Sequence, residues 1–124
     1  MVGFRDLKVW EKAHRLTLEV FSVTRSFPSE ERYGLTSQTR RSAVSICANI
    51  AEGCGRGGPR EFARFLQIAL GSASELEYEL LLAADLDLVE RSEHERLQLS
   101  VTEVKRMLSG FIRTLKRRRL TSDV

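Results

Sequence analysis

Apolar residues recur every three or four positions along four stretches of the chain, which is the period of amphipathic helices. The first stretch predicts a helix over residues 6–25, ended by Phe27-Pro28 because proline disfavours helix in the residue before it. Its main apolar stripe is Trp10, Ala13, Thr17, Phe21 and Thr24. A second apolar line lies away from that stripe and consists of Val9, Leu16 and Val23. One bundle core does not need both, so we expect the second line to face another copy of the chain.

The second stretch predicts a helix over residues 33–52 with very little charged surface. Its core stripe is Leu35, Thr39, Ala43, Ile46 and Ile50. Beside that stripe runs a polar line of Gln38, Arg41, Ser45, Asn49 and Glu52. The opposite side carries Val44, Ala48 and Ala51. A helix with so little polar surface is usually buried on more than one side, so we expect this apolar side to contact a second copy as well.

The third and fourth stretches predict helices over residues 59–88 and 93–119. The third has the spacing of a bundle seam, formed by Phe62, Leu66, Ala69, Ala73, Leu76, Leu80 and Ala84. Gly71 lies inside this helix, where it costs about 1 kcal/mol relative to alanine, and it predicts close contact with another backbone. Ser92 and Glu95 have the form of a capping box at the start of the fourth helix. The seam of that helix is Leu97, Val101, Val104, Leu108, Phe111 and Leu115.

Four helices with short connectors predict an all-α fold, an up-down-up-down antiparallel four-helix bundle that forms one domain over residues 1–124. No segment alternates with the two-residue period of a strand. A length of 124 residues fits a single domain. No uncharged run is long enough to span a bilayer, and the first residues do not have the form of a signal peptide. We therefore expect a cytoplasmic protein without membrane contact.

Charge is unevenly distributed, although the net charge is only +3. Residues 71–104 hold nine acids and two bases, whereas residues 105–124 hold seven bases and one acid. Bases in the second range, and within or next to the glycine-rich connector (residues 53–59), are candidate contacts to the phosphates of RNA or DNA: Arg56, Arg60, Arg106, Arg113, Lys116, Arg117, Arg118 and Arg119. Cations matched to the dipole at a helix end are the alternative explanation. The acidic belt, residues 75–95, repels phosphate if it shares a face with these bases.

The glycine-rich connector, residues 53–59, matches the dinucleotide-binding pattern by letter. That pattern needs a preceding strand, and here a helix precedes it, so a simple connector between helices is the better interpretation. A phosphate held by Arg56, Arg60 and the amides of a helix N-terminus is the alternative. Cys47 and Cys54 lie about 10 Å apart along one helix, too far for a disulfide. The sequence has no catalytic motif, metal-ligand set or cofactor motif, and we expect neither enzyme activity nor a cofactor.

Several stretches together resemble one protein family. They are Phe4–Trp10, Phe27-Pro28, Glu31–Leu35, Arg40–Ile46, Asn49–Gly53, Phe62–Leu66 and Ile68–Ser72 with Glu75–Glu77. The chain resembles the four-helix-bundle proteins encoded in intervening sequences of bacterial 23S ribosomal RNA genes, which are also called S23 ribosomal proteins. The resemblance implies a bundle that assembles as a ring, typically a pentamer, without established enzymatic activity. A related fold serves as an accessory protein of reverse transcriptases, which implies such a partner as one alternative role.

The motif residues carried over from this resemblance have no catalytic role in the family: Gln38, Arg41, Ser45, Asn49, Glu52, Gly71, Ser72 and Glu75. We interpret the polar ones as a hydrogen-bonded network that fixes helix register, with a binding site as the alternative. Replacing Asn49 with alanine then costs about 1–3 kcal/mol. The sequence thus predicts a non-enzymatic homo-oligomer with backbone-level nucleic-acid binding, and a purely structural assembly module is the rival hypothesis.

Overall fold

The computed structural model describes residues 3–122, with the side chains of residues 119–122 outside the described part. Four α-helices make up most of this range: α1 (Lys8–Thr24), α2 (Leu35–Gly55), α3 (Pro59–Asp85) and α4 (Arg91–Ser122). Short 3-10 helices precede α1 and α2, at Phe4–Asp6 and Ser29–Glu31. No strand occurs between residues 3 and 122, so the prediction of an all-α fold is confirmed. None of these helices combines the length and apolar character that crossing a membrane requires.

Each helix packs against the next one in the chain, and α1 packs against α4 as well as α2. The contacts pair later residues of one helix with earlier residues of the next. Thr17 of α1 donates a hydrogen bond to the Ala43 carbonyl of α2, whereas Thr24 accepts one from Arg40. Contacts between α2 and α3 and between α3 and α4 follow the same reversed order. The four helices therefore enclose one core, which every helix helps to build.

The seams predicted for α2, α3 and α4 supply most of this core. Its largest fully buried side chains include Ile46, Ile50, Leu66, Leu76, Leu80, Leu97 and Leu108. Phe62 and Phe111 lie partly buried against the core, and their rings meet edge-to-face with centroids 5.0 Å apart. The apolar periodicity of these three helices therefore located the buried faces correctly.

The second apolar line of α1 does not remain available for another copy, contrary to the prediction. Val9, Leu16 and Val23 are only 4%, 1% and 7% exposed within a single chain. The physical reason is that α1 lies between two neighbouring helices and needs a wider apolar stripe than a single seam. On the apolar side of α2, Val44 and Ala48 are exposed in the single chain, and Ala51 is half-buried.

The connector glycines do not end α2 where the sequence suggested. The helix continues through Gly53, which packs directly against α3, and ends at Gly55. A Cβ atom added at Gly53 would lie 2.7 Å from the Cβ atom of Phe65. At Gly71, by contrast, an added Cβ atom would have no neighbour within 4 Å. The close contact that we predicted at Gly71 is therefore absent among the described residues, and Gly53 makes the close approach instead.

The junction between α3 and α4 also differs from the predicted bounds. α3 ends at Asp85, and Asp87 follows with a positive φ of 61°. α4 begins at Arg91, and the amide of His94 donates to the Glu90 carbonyl at 2.9 Å. Ser92 therefore lies inside the first turn of α4, and the predicted capping box is wrong.

Candidate functional site

The glycine-rich connector and the basic part of α4 meet at one end of the molecule, called the basic end below. A cleft of about 680 Å³ lies between them. Its lining includes Gly57, Gly58 and Pro59 from the connector and Thr114, Arg117 and Arg118 from α4. Gly57 and Gly58 have φ angles of 74° and 87°, which glycine adopts without a steric penalty. This turn allows Pro59 to start α3 immediately. The start of α3 therefore lines the same cleft as Arg117 and Arg118.

Two further bases flank the start of α3. Arg60 and Lys116 line a second cleft of about 380 Å³ at the basic end. Among residues 3–118, neither side chain forms a hydrogen bond or an ion pair. Arg60 comes from the first turn of α3 and Lys116 from the last part of α4, so two distant segments contribute to one positive surface.

Two other arginines at this end are held by acids and by an aromatic ring. Arg56 donates to Glu52 at 2.8 Å, and Arg64 donates to Glu61 at 3.0 Å. The Arg64 hydrogen bond lowers the pKa of the Glu61 carboxyl. Both guanidinium groups lie over the Phe65 ring, 5.2 and 4.5 Å from its centroid. These contacts fix the two arginines in place and keep the acids of this end paired.

The acidic belt does not share the basic end. α3 has 27 residues and is therefore about 40 Å long. Residues 85–95, at its far end, hold five acids and one base. Charges separated by much more than about 8 Å are screened at physiological ionic strength. Within the belt, Glu77 is engaged by Lys105, whose Nζ atom lies 2.8 Å from Glu77 Oε1.

The predicted nucleic-acid contacts are therefore divided between two surfaces. The basic end gathers Arg56, Arg60, Lys116, Arg117 and Arg118. A separate cleft of about 510 Å³ between α3 and α4 holds Arg106 and Arg113. The side chain of Arg119, which was also predicted, lies outside the described residues.

The structure brings together the central part of the predicted polar network. The Asn49 side-chain amide donates to the Ser45 carbonyl at 2.8 Å and to the Ser45 hydroxyl at 3.1 Å. That hydroxyl shares a hydrogen bond with the Ser72 hydroxyl at 2.8 Å. The three residues thus connect α2 to α3, whereas Glu52 interacts with Arg56 instead. This arrangement aligns the two helices and does not resemble a catalytic constellation.

The remaining members, Gln38, Arg41 and Glu75, line a cleft of about 310 Å³ between α2 and α3, called the α2–α3 cleft below. Ser42 and Glu79 complete its lining. Glu79 is 7% exposed, and its Oε1 atom is buried without a hydrogen-bond partner among the described residues. Burial raises the pKa of Glu79, the Ser42 hydroxyl lowers it, and the neighbouring charge of Glu75 raises it.

Sequence reasoning missed Glu79 because it lies in a run of acids that is typical of a solvated helix face. A signal was nevertheless present, since Glu79 follows Ser72 by seven residues, or two helical turns. This spacing places it on the side of α3 that faces α2.

Cysteine and histidine side chains form no reactive cluster in the described chain. Cys47 and Cys54 form no disulfide, and burial raises the pKa of the Cys47 thiol, which lies 3.3 Å from the Thr17 hydroxyl. His14 stacks on Trp10 with centroids 4.8 Å apart. Within residues 3–122, no group of three or more metal-ligating side chains is positioned to hold an ion.

Residues 5–110 match the family described as 23S rRNA-intervening sequence protein. The chain belongs to this family. The fold is also similar to the crystal structure of a protein of unknown function from the S23 ribosomal protein family of Bacteroides thetaiotaomicron. That likeness has a TM-score of 0.75 and 26% sequence identity, and it covers 84% of this chain and 97% of the other. No curated protein matches the chain.

These comparisons confirm the family predicted from the sequence motifs. Neither family description specifies a reaction or a ligand. The matched range ends at residue 110, so the bases of the last part of α4 lie beyond it.

Proposed function

We propose that this protein is a non-catalytic, self-assembling four-helix bundle that binds the phosphate backbone of RNA at its basic end. The observation that carries this proposal is the meeting of two basic segments around an open cleft, with the acids of residues 85–95 at the far end of α3, which is about 40 Å long. Contacts to phosphate position a protein on nucleic acid without reading its sequence. DNA offers the same phosphates, so it serves as a comparison in the test.

In this proposal the helices run up-down-up-down, and the bundle is antiparallel. The reversed order of contacts between successive helices supports this topology. The topology matters for function because it places the start of α3 beside the end of α4. The bases of both segments then act on one ligand.

Self-assembly is supported by apolar side chains that one chain leaves uncovered. Val44 of α2 is 46% exposed and Ile68 of α3 is 43% exposed, on two helices that pack against each other. Ala48 adds a small exposed side chain that permits close approach. The family resemblance makes a pentameric ring the expected assembly. A ring repeats the basic end around its axis and strengthens a weak contact through multivalency.

Sedimentation equilibrium at micromolar concentration tests the assembly. We expect a mass near five times the 14.1 kDa of one chain. Ala48→Glu places a charge on the uncovered side of α2 and is expected to dissociate the assembly. Ser22→Glu is the matched control, because Ser22 is an exposed polar residue of α1. A wild-type protein that remains at 14.1 kDa refutes the self-assembly proposal.

Fluorescence anisotropy with a labelled single-stranded RNA of mixed sequence tests phosphate binding. Two triple alanine variants remove equal charge: Lys116, Arg117 and Arg118 at the basic end, and Arg25, Arg32 and Arg91 elsewhere. We expect the first to weaken binding by about tenfold or more, equivalent to about 1.4 kcal/mol. The second is expected to change affinity much less. Wild-type affinity should fall steeply with salt, because phosphate contacts release counterions.

The outcomes separate the proposal from its rivals. Similar binding of RNA and DNA supports backbone recognition. Equal losses in the two triple variants assign binding to net charge and remove the basic end from the mechanism. An absence of binding even at low salt leaves the assembly-module hypothesis.

A further inference from the structure

The α2–α3 cleft contains two carboxylates that form no ion pair with a cation among the described residues. Glu75 and Glu79 lie four residues apart on α3, so they are neighbours on one helix face, and like charges at this spacing destabilise a helix. Neither forms an ion pair with a residue between 3 and 118. Arg41 lines the same cleft but remains more than 4 Å from both carboxylates.

Glu79 is the more informative of the two acids. Its side chain is 7% exposed, and its buried Oε1 atom lacks a partner among described residues. The Ser42 hydroxyl hydrogen-bonds the Glu79 carboxylate, but the buried Oε1 atom is left without a hydrogen bond, and an incompletely paired buried charge is unfavourable. The terminal torsion of a glutamate is broad and nearly two-fold. Glu79 lines the cleft, so rotation about this torsion changes which carboxylate oxygen faces a bound group.

We propose that the α2–α3 cleft binds an organic cation with a primary ammonium group between Glu75 and Glu79. An ammonium group carries three N–H donors, which match the two carboxylates and the side-chain oxygen of Gln38. The cleft volume of about 310 Å³ is at the small end of ligand sites, which start near ~300 Å³, and suits a short alkylamine. The Arg41 guanidinium borders the same space and repels any cation, so the ligand must be held by hydrogen bonds that it donates to the carboxylates, and a divalent metal has no N–H donor. This inference does not depend on the proposed RNA binding.

Calorimetry and thermal unfolding of the full chain with putrescine test the site. We expect one putrescine per chain and a rise in melting temperature. Tetramethylammonium is the matched ligand control, because it has a positive charge but no N–H donor. Mg²⁺ tests for a divalent site. Binding should also release protons, measurable by calorimetry in two buffers, because a nearby cation favours ionised Glu79.

Two conservative variants locate the site. Glu79→Gln and Glu75→Gln are each expected to weaken putrescine binding by about tenfold or more, the factor equivalent to 1.4 kcal/mol. Glu95→Gln removes an exposed acid of α4 and should leave the affinity unchanged. Circular dichroism checks that each variant folds. If Glu79→Gln alters the core, the exposed variant Glu75→Gln still tests the site. Equal stabilisation by putrescine and tetramethylammonium overturns the proposal.

A lysine side chain of a second copy has the same ammonium chemistry as a free amine. If a second copy supplies it, excess putrescine should dissociate the assembly, and Glu79→Gln should lower the mass measured by sedimentation. If the free amine is the ligand, the mass should stay constant while calorimetry detects binding. The absence of both responses overturns the inference.

Discussion

Replacing Gly53 with alanine measures how closely α2 and α3 pack near the connector. Inside a helix, alanine is more favourable than glycine by about 1 kcal/mol. At Gly53 the new Cβ atom would lie 2.7 Å from the Phe65 Cβ atom and 3.0 Å from a ring carbon of Phe62. Carbon atoms attract best at about 3.5–4.0 Å. The Phe65 Cβ atom is attached to the backbone of α3, so rotation of a side chain cannot relieve the overlap.

The two helices must therefore separate, and overpacking of this kind costs about 1–3 kcal/mol. The contact is at the backbone, so the upper part of that range applies. After subtracting the gain in helix propensity, Gly53→Ala is expected to lower the free energy of unfolding by about 2 kcal/mol. Urea unfolding followed by circular dichroism measures this change, with the midpoint and the slope fitted separately.

Gly71→Ala is the matched control. Gly71 is also helical, but it is exposed, and an added Cβ atom meets nothing within 4 Å. We expect this variant to be more stable than the wild type by about 1 kcal/mol. The reasoning is refuted if Gly53→Ala is as stable as the wild type. If Gly71→Ala instead destabilises the protein at high concentration only, a second copy covers that side of α3.

Three further substitutions test polar side chains. Asn49→Ala should lower the free energy of unfolding by about 0.5–1.5 kcal/mol, less than the range of about 1–3 kcal/mol expected from the sequence, because both amide hydrogen bonds go to Ser45 of the same helix. Unchanged urea unfolding with altered RNA binding points to a binding role. The Lys105 hydrogen bond lowers the pKa of Glu77 from 4.5. The stability that this hydrogen bond provides is therefore present above pH 4.5 and is lost as the pH falls through the lowered pKa. In a pH series of unfolding measurements, the free energy of unfolding of Glu77→Gln should fall less steeply toward acid pH than that of the wild type. Burial raises the pKa of Glu79 from 4.5, so the wild type loses stability as the pH rises through the raised pKa. Glu79→Gln should be more stable than the wild type at neutral pH by about 1–3 kcal/mol. A stability difference between the two proteins that stays constant across the pH series contradicts this.

Periodicity was sufficient to predict the helical fold because each helix buries one continuous face. α2 is the clearest example, since Thr39, Ala43, Ile46 and Ile50 are all 0% exposed, as the pattern indicated. Periodicity was not sufficient for α1, because the width of an apolar stripe does not state how many neighbours a helix has. The motifs, rather than the periodicity, predicted the family.

The candidate site was only partly accessible from the sequence. The bases could be found because charge is visible in the composition. Their grouping around the connector could not, because it depends on how α4 is aligned with α3. Glu79 was hidden for a related reason: a run of alternating acids looks solvated until the position of α2 is known.

The geometry of the α3–α4 pair explains why the charges separate into two ends. The connector between these helices is centred near Leu88, and Arg60 and Lys116 each lie 28 positions from it. Two helices that fold back on each other bring such equidistant residues together, and both side chains line one cleft. The acids of residues 85–95 are close to the connector and remain at the other end.

This arrangement bears on the two explanations of the basic end. Cations at the end of α4 interact favourably with the negative end of the helix dipole. Arg60 and Arg64 lie in the first two turns of α3, at the positive end of its dipole, where cations are unfavourable. Glu61 compensates Arg64 through their hydrogen bond, but Arg60 has no such partner among described residues. Dipole matching therefore explains the cations at the end of α4 but not Arg60 at the start of α3. A phosphate bound between the two segments, as proposed above, would neutralise the cations of both.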